Sequence, residues 1–194
     1  MKKFFMSTIN LFISFAAAFV IIEKIALPTL DHYLRLSRMM ERFYYTDEVL
    51  ILFLGLTIWL FVLQWQARKI SAVYMYLVFS VYLFLLFVVL FTKAATYHTF
   101  TSALFDFIRW DAKILMEAGL NIIYFLPLGI LYRLHASKKQ FVVIALLTIL
   151  GIETIQYVFY LGTFALSDIL LNFCGCWLGY FLGGYGLRHF QIKS

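Results

Sequence analysis

Apolar and polar positions run along this chain in long blocks, without the short periods of a soluble fold. A bilayer core about 30 Å thick takes roughly 20 apolar residues at about 1.5 Å rise each. Six stretches near that length are bounded by charged or polar clusters: Phe4–Ile22, Val49–Gln66, Ser71–Phe91, Gly119–Leu134, Phe141–Tyr160 and Ile169–Leu187. The pattern predicts an all-α, polytopic transmembrane helix bundle. It divides into an N-terminal three-helix membrane region (1–92), an extracytoplasmic loop or interfacial helix (93–117) and a C-terminal three-helix core (118–194). The fourth stretch is the shortest and contains Pro127, which removes a backbone donor and predicts a kinked or locally loosened helix. The first follows Lys2 and Lys3 and holds Ala16-Ala17-Ala18, as a signal peptide would. Its apolar run nevertheless continues through Ile22, beyond an h-region of about 7–15 residues, so a retained anchor is expected.

Composition narrows the class. Of 194 residues, 64% are hydrophobic and only 13% charged, against about 25% charged in a soluble domain. Two Pro, two Cys and no short repeat exclude a disulfide scaffold, a collagen-like fibre and a disordered chain. With the N-terminus inside, Lys2, Lys3, Arg68, Lys69, Arg133, Lys138, Lys139, Arg188 and Lys193 fall in short cytoplasmic segments. Arg35, Arg38, Arg42, Lys93, Arg109 and Lys113 are spread over two longer outer loops. The density of basic residues therefore predicts both termini in the cytoplasm. The net charge of +6 reads as orientation and contact with anionic lipid headgroups, with no nucleic-acid partner expected. Trp65, Trp110 and Tyr160 fall where an interfacial aromatic belt belongs. Cys174 and Cys176 point to different sides of one helix and have no His or second Cys pair at ligand spacing, so neither a metal site nor another cofactor is expected.

Against this background the polar residues inside the last three spans stand out. From residue 118 onward the only acidic side chains are Glu153 and Asp168. A carboxylate at a helix centre costs roughly 2.5–3.5 kcal/mol unless protonated, paired or wetted, which makes an intramembrane acid a candidate functional residue. Glu153, Gln156 and Tyr157 are spaced i, i+3, i+4, so one helix face carries a carboxyl, an amide and a phenol. Asp168 and Asn172 share a face of the sixth span, and that face continues through Gly175, Gly179 and Gly183, a small-xxx-small seam for a close helix neighbour, including a second copy of the chain. Ser167 or Asp168 also suits a helix N-cap. Asn121 opens the fourth span, and Gly129 follows Pro127 within it. The alternating directions of the spans bring Asn121, Gln156, Asp168 and Asn172 to the outer leaflet, with Glu153 about a turn deeper. Helix packing through hydrogen bonds, at about 0.6 and up to nearly 2 kcal/mol each, is the competing account of the same cluster.

The loop from Lys93 to Glu117 alternates Leu104, Phe105, Phe107, Ile108 and Leu115 with Asp106, Arg109, Asp111 and Lys113, a composition that suits an interfacial amphipathic helix or a cap over the cluster. His98, Arg109 and Lys113 are candidate contacts for an anionic headgroup, against the alternative of solvated loop charges.

Three segments carry a family resemblance. Asn121-Ile-Ile-Tyr-Phe-Leu-Pro127-Leu-Gly129, Ile152-Glu153-Thr-Ile-Gln156 and Asp168-Ile-Leu-Leu-Asn172-Phe-Cys-Gly175 resemble, in order and spacing, the signatures of the VanZ-like membrane proteins, over residues 95–187. The family's prototype is associated with low-level resistance to the glycopeptide teicoplanin. Many relatives carry an Arg and further acidic residues just ahead of the Asp168 position, where this chain reads Gly162-Thr163-Phe164-Ala165-Leu166-Ser167; Thr99 stands before Phe100 where relatives often have Pro. The resemblance implies a bacterial cell-envelope protein of the cytoplasmic membrane that handles a lipid-linked cell-wall precursor, a glycopeptide or another amphipathic ligand. A membrane-embedded hydrolase or transferase using Glu153 and Asp168, and a proton-coupled transporter or flippase, are the alternatives. No Gly-x-Ser-x-Gly, metal-spaced His pair or phosphate loop supports an enzyme.

Overall fold

The structure, a computed structural model, describes residues 2–31, 37–38, 40–92, 97–108 and 110–193. Among the described residues six helices are long and apolar enough to cross a membrane, so the chain is a multi-pass membrane protein with the all-α architecture that its blocks of hydropathy predict. The residues divide into two compact units, 1–78 with 190–194, and 79–189.

The first unit begins with α1 (Lys2–Ile21), which runs through a π-helical turn (Ile22–Ala26) into α2 (Leu27–Asp31). The first membrane-length run therefore extends past Ile22, to Asp31. Helix α3 (Thr46–Ala67) starts where the Thr46 hydroxyl donates to the Phe43 carbonyl at 2.7 Å and places Asp47 and Glu48 in its first turn, the signs a helix N-terminus favours. It packs on α1: Trp59 Nε1 donates to the Ser7 carbonyl at 3.2 Å, and a Cβ on Gly55 would meet the Phe15 ring at 2.9 Å. At its end Arg68 takes a left-handed backbone, φ 52°, and its N–H closes the last turn on Gln64 and Trp65. The turn leads into β1 (Lys69–Ser71), which pairs in parallel with β4 (Gln191–Lys193), while Phe190 packs on Trp65 with ring centroids 4.6 Å apart. Helix α4 (Ala72–Thr92) starts in this unit, where the Tyr74 hydroxyl donates to the Thr57 carbonyl at 2.9 Å.

The second unit contains the rest of α4, then β2 (Tyr97–Thr101), α5 (Ala112–His135), α6 (Lys138–Val158), β3 (Leu161–Ala165) and α7 (Leu166–His189). The fourth span is longer than the apolar run Gly119–Leu134, because Asp111 caps it and accepts from the Lys113 N–H at 2.9 Å, two turns before apolar residues dominate. The helix continues through Pro127, and the Tyr82 hydroxyl donates to the Tyr124 carbonyl, 2.6 Å, beside the point where proline removes a donor. Ser137 and Gln140 form a capping box that starts α6. Leu86, Leu90, Phe125, Leu128, Phe141, Ala145, Ile149, Cys176 and Tyr180 make the core of this unit.

Helices α5 and α7 make the closest pair. Added Cβ atoms on Gly175 and Gly179 would run into the carbonyl oxygens of Ile122 and Leu126, one on Gly129 into the carbonyl of Cys176, and one on Gly183 would lie 3.0 Å from Arg133 Cβ. Partner numbers rise together, so the helices are parallel and backbone touches backbone along the seam. The Gly175/Gly179/Gly183 stripe is thus occupied within the chain by α5, and a second copy would have to displace α5 to use it.

Candidate functional site

The parallel pairing of β2 with β3 builds one end of the second unit. Tyr97 aligns with Leu161, Thr99 with Thr163 and Thr101 with Ala165. The Thr99 and Thr163 hydroxyls lie 2.8 Å apart and the Phe100 and Phe164 rings stack at 5.7 Å. Each strand follows one long helix and precedes another, so the pair fastens the α4–α5 loop to the α6–α7 connection. Residues 102–108 form bends and turns, an irregular strap with no helix in it, where an interfacial amphipathic helix or a cap is expected from sequence.

Beneath the strap lies an open cavity of about 460 Å³. Its walls come from the strap (Thr101, Ala103, Asp106, Phe107), from the first turns of α5 (Ile114, Glu117, Ala118, Asn121) and from β3 and the start of α7 (Thr163, Ala165, Ser167, Asp168, Leu171). Asn121 Nδ2 donates to Asp168 Oδ1 at 3.0 Å across this wall. Asp168 also stands in the first turn of α7, where the unsatisfied amides of the helix end favour a carboxylate.

The other polar residues singled out in the sequence are distributed more deeply. Gln156, 7% exposed, donates through Nε2 to the Leu90 carbonyl at 2.7 Å. Leu90 belongs to the last turn of α4, whose carbonyls lack partners within the helix, so Gln156 serves as a side-chain cap on a neighbouring helix. Glu153 and Asn172 are each 2% exposed. Glu153 lies five residues before the end of α6 and Asn172 six after the start of α7, so both sit about 7–9 Å inward of the strand pair. Neither lines the cavity. Tyr157 is half-buried and packs edge-on against Phe164 beneath β3, at 6.2 Å. The cluster read as one polar face therefore separates into a cavity wall (Asn121, Asp168), a helix tie (Gln156), a strand support (Tyr157) and two buried polar groups (Glu153, Asn172).

Of the headgroup candidates, Lys113 is exposed and contributes nothing to the cavity wall, His98 is described only as a backbone position of β2 opposite Gly162, and Arg109 lies outside the described residues. Pro127, Gly129 and the glycine stripe are seam residues of the α5–α7 pair.

Asp106, Glu117 and Ser167 were absent from the site expected from sequence. For Glu117 a signal existed: it precedes Asn121 by four residues, which puts the two on one helix face once the helix starts at Ala112. Beginning the span at Gly119 hid it in the loop. The acidic positions that many relatives carry ahead of Asp168 have no counterpart in β3, yet Asp106 and Glu117 bring carboxyl groups to the same cavity from other elements.

The sequence profile of the VanZ/LLP1 family matches residues 49–185. The chain belongs to that family. The match begins at Val49, so in this VanZ/LLP1 protein the shared region takes in α3 and α4 as well as the three-motif segment that carries the resemblance from about residue 95. No curated protein and no solved structure matches the chain.

Proposed function

We propose that this VanZ/LLP1 protein binds the polar head of an amphipathic or lipid-linked cell-wall ligand in the cavity beneath the β2–β3 strap, at the outer leaflet of a bacterial cytoplasmic membrane. The observation that carries the reading is the Asn121–Asp168 hydrogen bond, 3.0 Å, in the wall of an open cavity of about 460 Å³. A pair that served packing alone belongs in a sealed helix interface, like that of Gln156 with Leu90; this pair faces a space large enough for part of a ligand. The family's association with teicoplanin gives the reading its envelope setting: occupancy of the cavity by a wall-related ligand alters how a glycopeptide reaches its target. Basic residues crowd the end of the second unit opposite the strap, where Arg133, His135, Lys138 and Lys139 flank the α5–α6 turn, and this supports an outward cavity.

The test compares teicoplanin susceptibility of cells making the wild-type chain, Asp168→Asn or Glu153→Gln at matched membrane abundance. The expected outcome is that Asp168→Asn abolishes the change conferred by the wild type, because a second amide replaces the charge at the wall. Glu153→Gln, away from the wall, keeps most of it. A wild-type effect that survives Asp168→Asn would remove the cavity from the function.

A further inference from the structure

The lining of the cavity specifies the charge of what enters it. Three acidic residues, Asp106, Glu117 and Asp168, line one space of about 460 Å³ and come from three separate elements. No basic side chain belongs to its wall among the described residues. A second observation is independent of charge. Ser167 is 3% exposed, lines the cavity and has no side-chain hydrogen-bond partner among the described residues. Its hydroxyl is therefore available to an occupant of the cavity as a hydrogen-bond acceptor or donor. Asn121 Nδ2 donates to Asp168 Oδ1 at 3.0 Å in the same wall.

We propose that the cavity receives a primary ammonium group, with its N–H donors directed to the carboxylates of Asp106, Glu117 and Asp168 and to the Ser167 hydroxyl, while an apolar portion of the ligand extends along the membrane. A three-donor, compact cation matches several separated acceptors better than a planar guanidinium, which favours one bidentate partner. A phosphate or pyrophosphate head, by contrast, meets like charge at every carboxylate. This inference rests on the ligand-handling reading above and narrows its ligand to an amine.

Full-length protein in nanodiscs of zwitterionic lipid is titrated with dodecylammonium, dodecyl phosphate and ethanolamine, with the thermal unfolding midpoint as the readout. Dodecylammonium is expected to raise the midpoint saturably, and Glu117→Gln combined with Asp106→Asn is expected to weaken its apparent affinity at least tenfold. Glu117 is exposed and Asp106 half-buried in the irregular strap, so the double variant is expected to keep the fold, and its own midpoint without ligand checks that. A response to ethanolamine as well assigns a soluble amine as the source; a response to dodecylammonium alone assigns a membrane-borne one. The proposal is overturned if dodecyl phosphate binds as tightly, if the double variant binds the amine like wild type, or if no probe binds. Phosphate binding that disappears in Asp168→Asn would overturn the amine while leaving ligand handling in place; unchanged teicoplanin susceptibility in that variant is what removes both.

Discussion

Gln156 and Asp168 illustrate how differently two polar residues of similar depth are used. Gln156 gives its amide to the orphan carbonyl of Leu90 and touches no cavity, so its worth is that of an interhelical hydrogen bond, about 0.6 and at most about 1.7 kcal/mol. Gln156→Leu is expected to lower stability by about 1 kcal/mol, seen as a lower unfolding midpoint of purified protein, with teicoplanin susceptibility unaltered at matched abundance. A loss of the cellular effect without a stability change would show that Gln156 serves the ligand after all. The sequence singled out both residues through the same rule, that polar groups inside apolar helices need a reason. It had no means of separating them, because that depends on what each side chain meets: a helix end 66 residues away for Gln156, an open space for Asp168. Glu153 shows the same limit, since its place on α6 was legible and its distance from the cavity was not.

At the scale of elements, the six helices were legible because each is a continuous apolar block, and the errors lie at their ends, where caps decide. The Asp111 cap and the first turns of α5 carry polar residues that hydropathy assigns to a loop, and Glu117 was lost with them. The β2–β3 pair left no trace in the pattern, since two five-residue strands paired across 64 residues share no period and no turn. The glycine stripe was visible as a seam, but a seam does not name its partner; the structure assigns it to α5. This predicts a graded response along α7. Gly179→Ala puts a Cβ into the Leu126 carbonyl and is expected to cost about 1–3 kcal/mol as overpacking. Gly186→Ala, with nothing within 4 Å, is expected to be neutral or to gain up to about 1 kcal/mol of helix propensity. Unfolding midpoints of the two purified variants compare them directly, and equal midpoints would mean that α5 and α7 do not pack backbone to backbone.

For the whole molecule, the six membrane-length helices among the described residues fit the proposal that both termini lie on one side of the membrane. The parallel pairing of β1 with β4 places the α3–α4 connection, with Arg68 and Lys69, beside the segment Gln191–Lys193. In the second unit the strap and the α5–α6 turn lie at opposite ends of α5, whose 24 residues span about 36 Å, enough to cross the hydrocarbon core. On the orientation proposed above, the basic α5–α6 turn lies in the cytoplasm and the acidic cavity outside. In a Cys174→Ser background, with Cys176 fully buried, Ser102→Cys in the strap is expected to react with a membrane-impermeant maleimide on intact cells. Lys139→Cys at the α5–α6 turn is expected to react only after permeabilisation. The inverted pattern would leave every packing contact intact and turn the cavity toward the cytoplasm, where an amine from outside the cell has no access and a glycopeptide's target is out of reach.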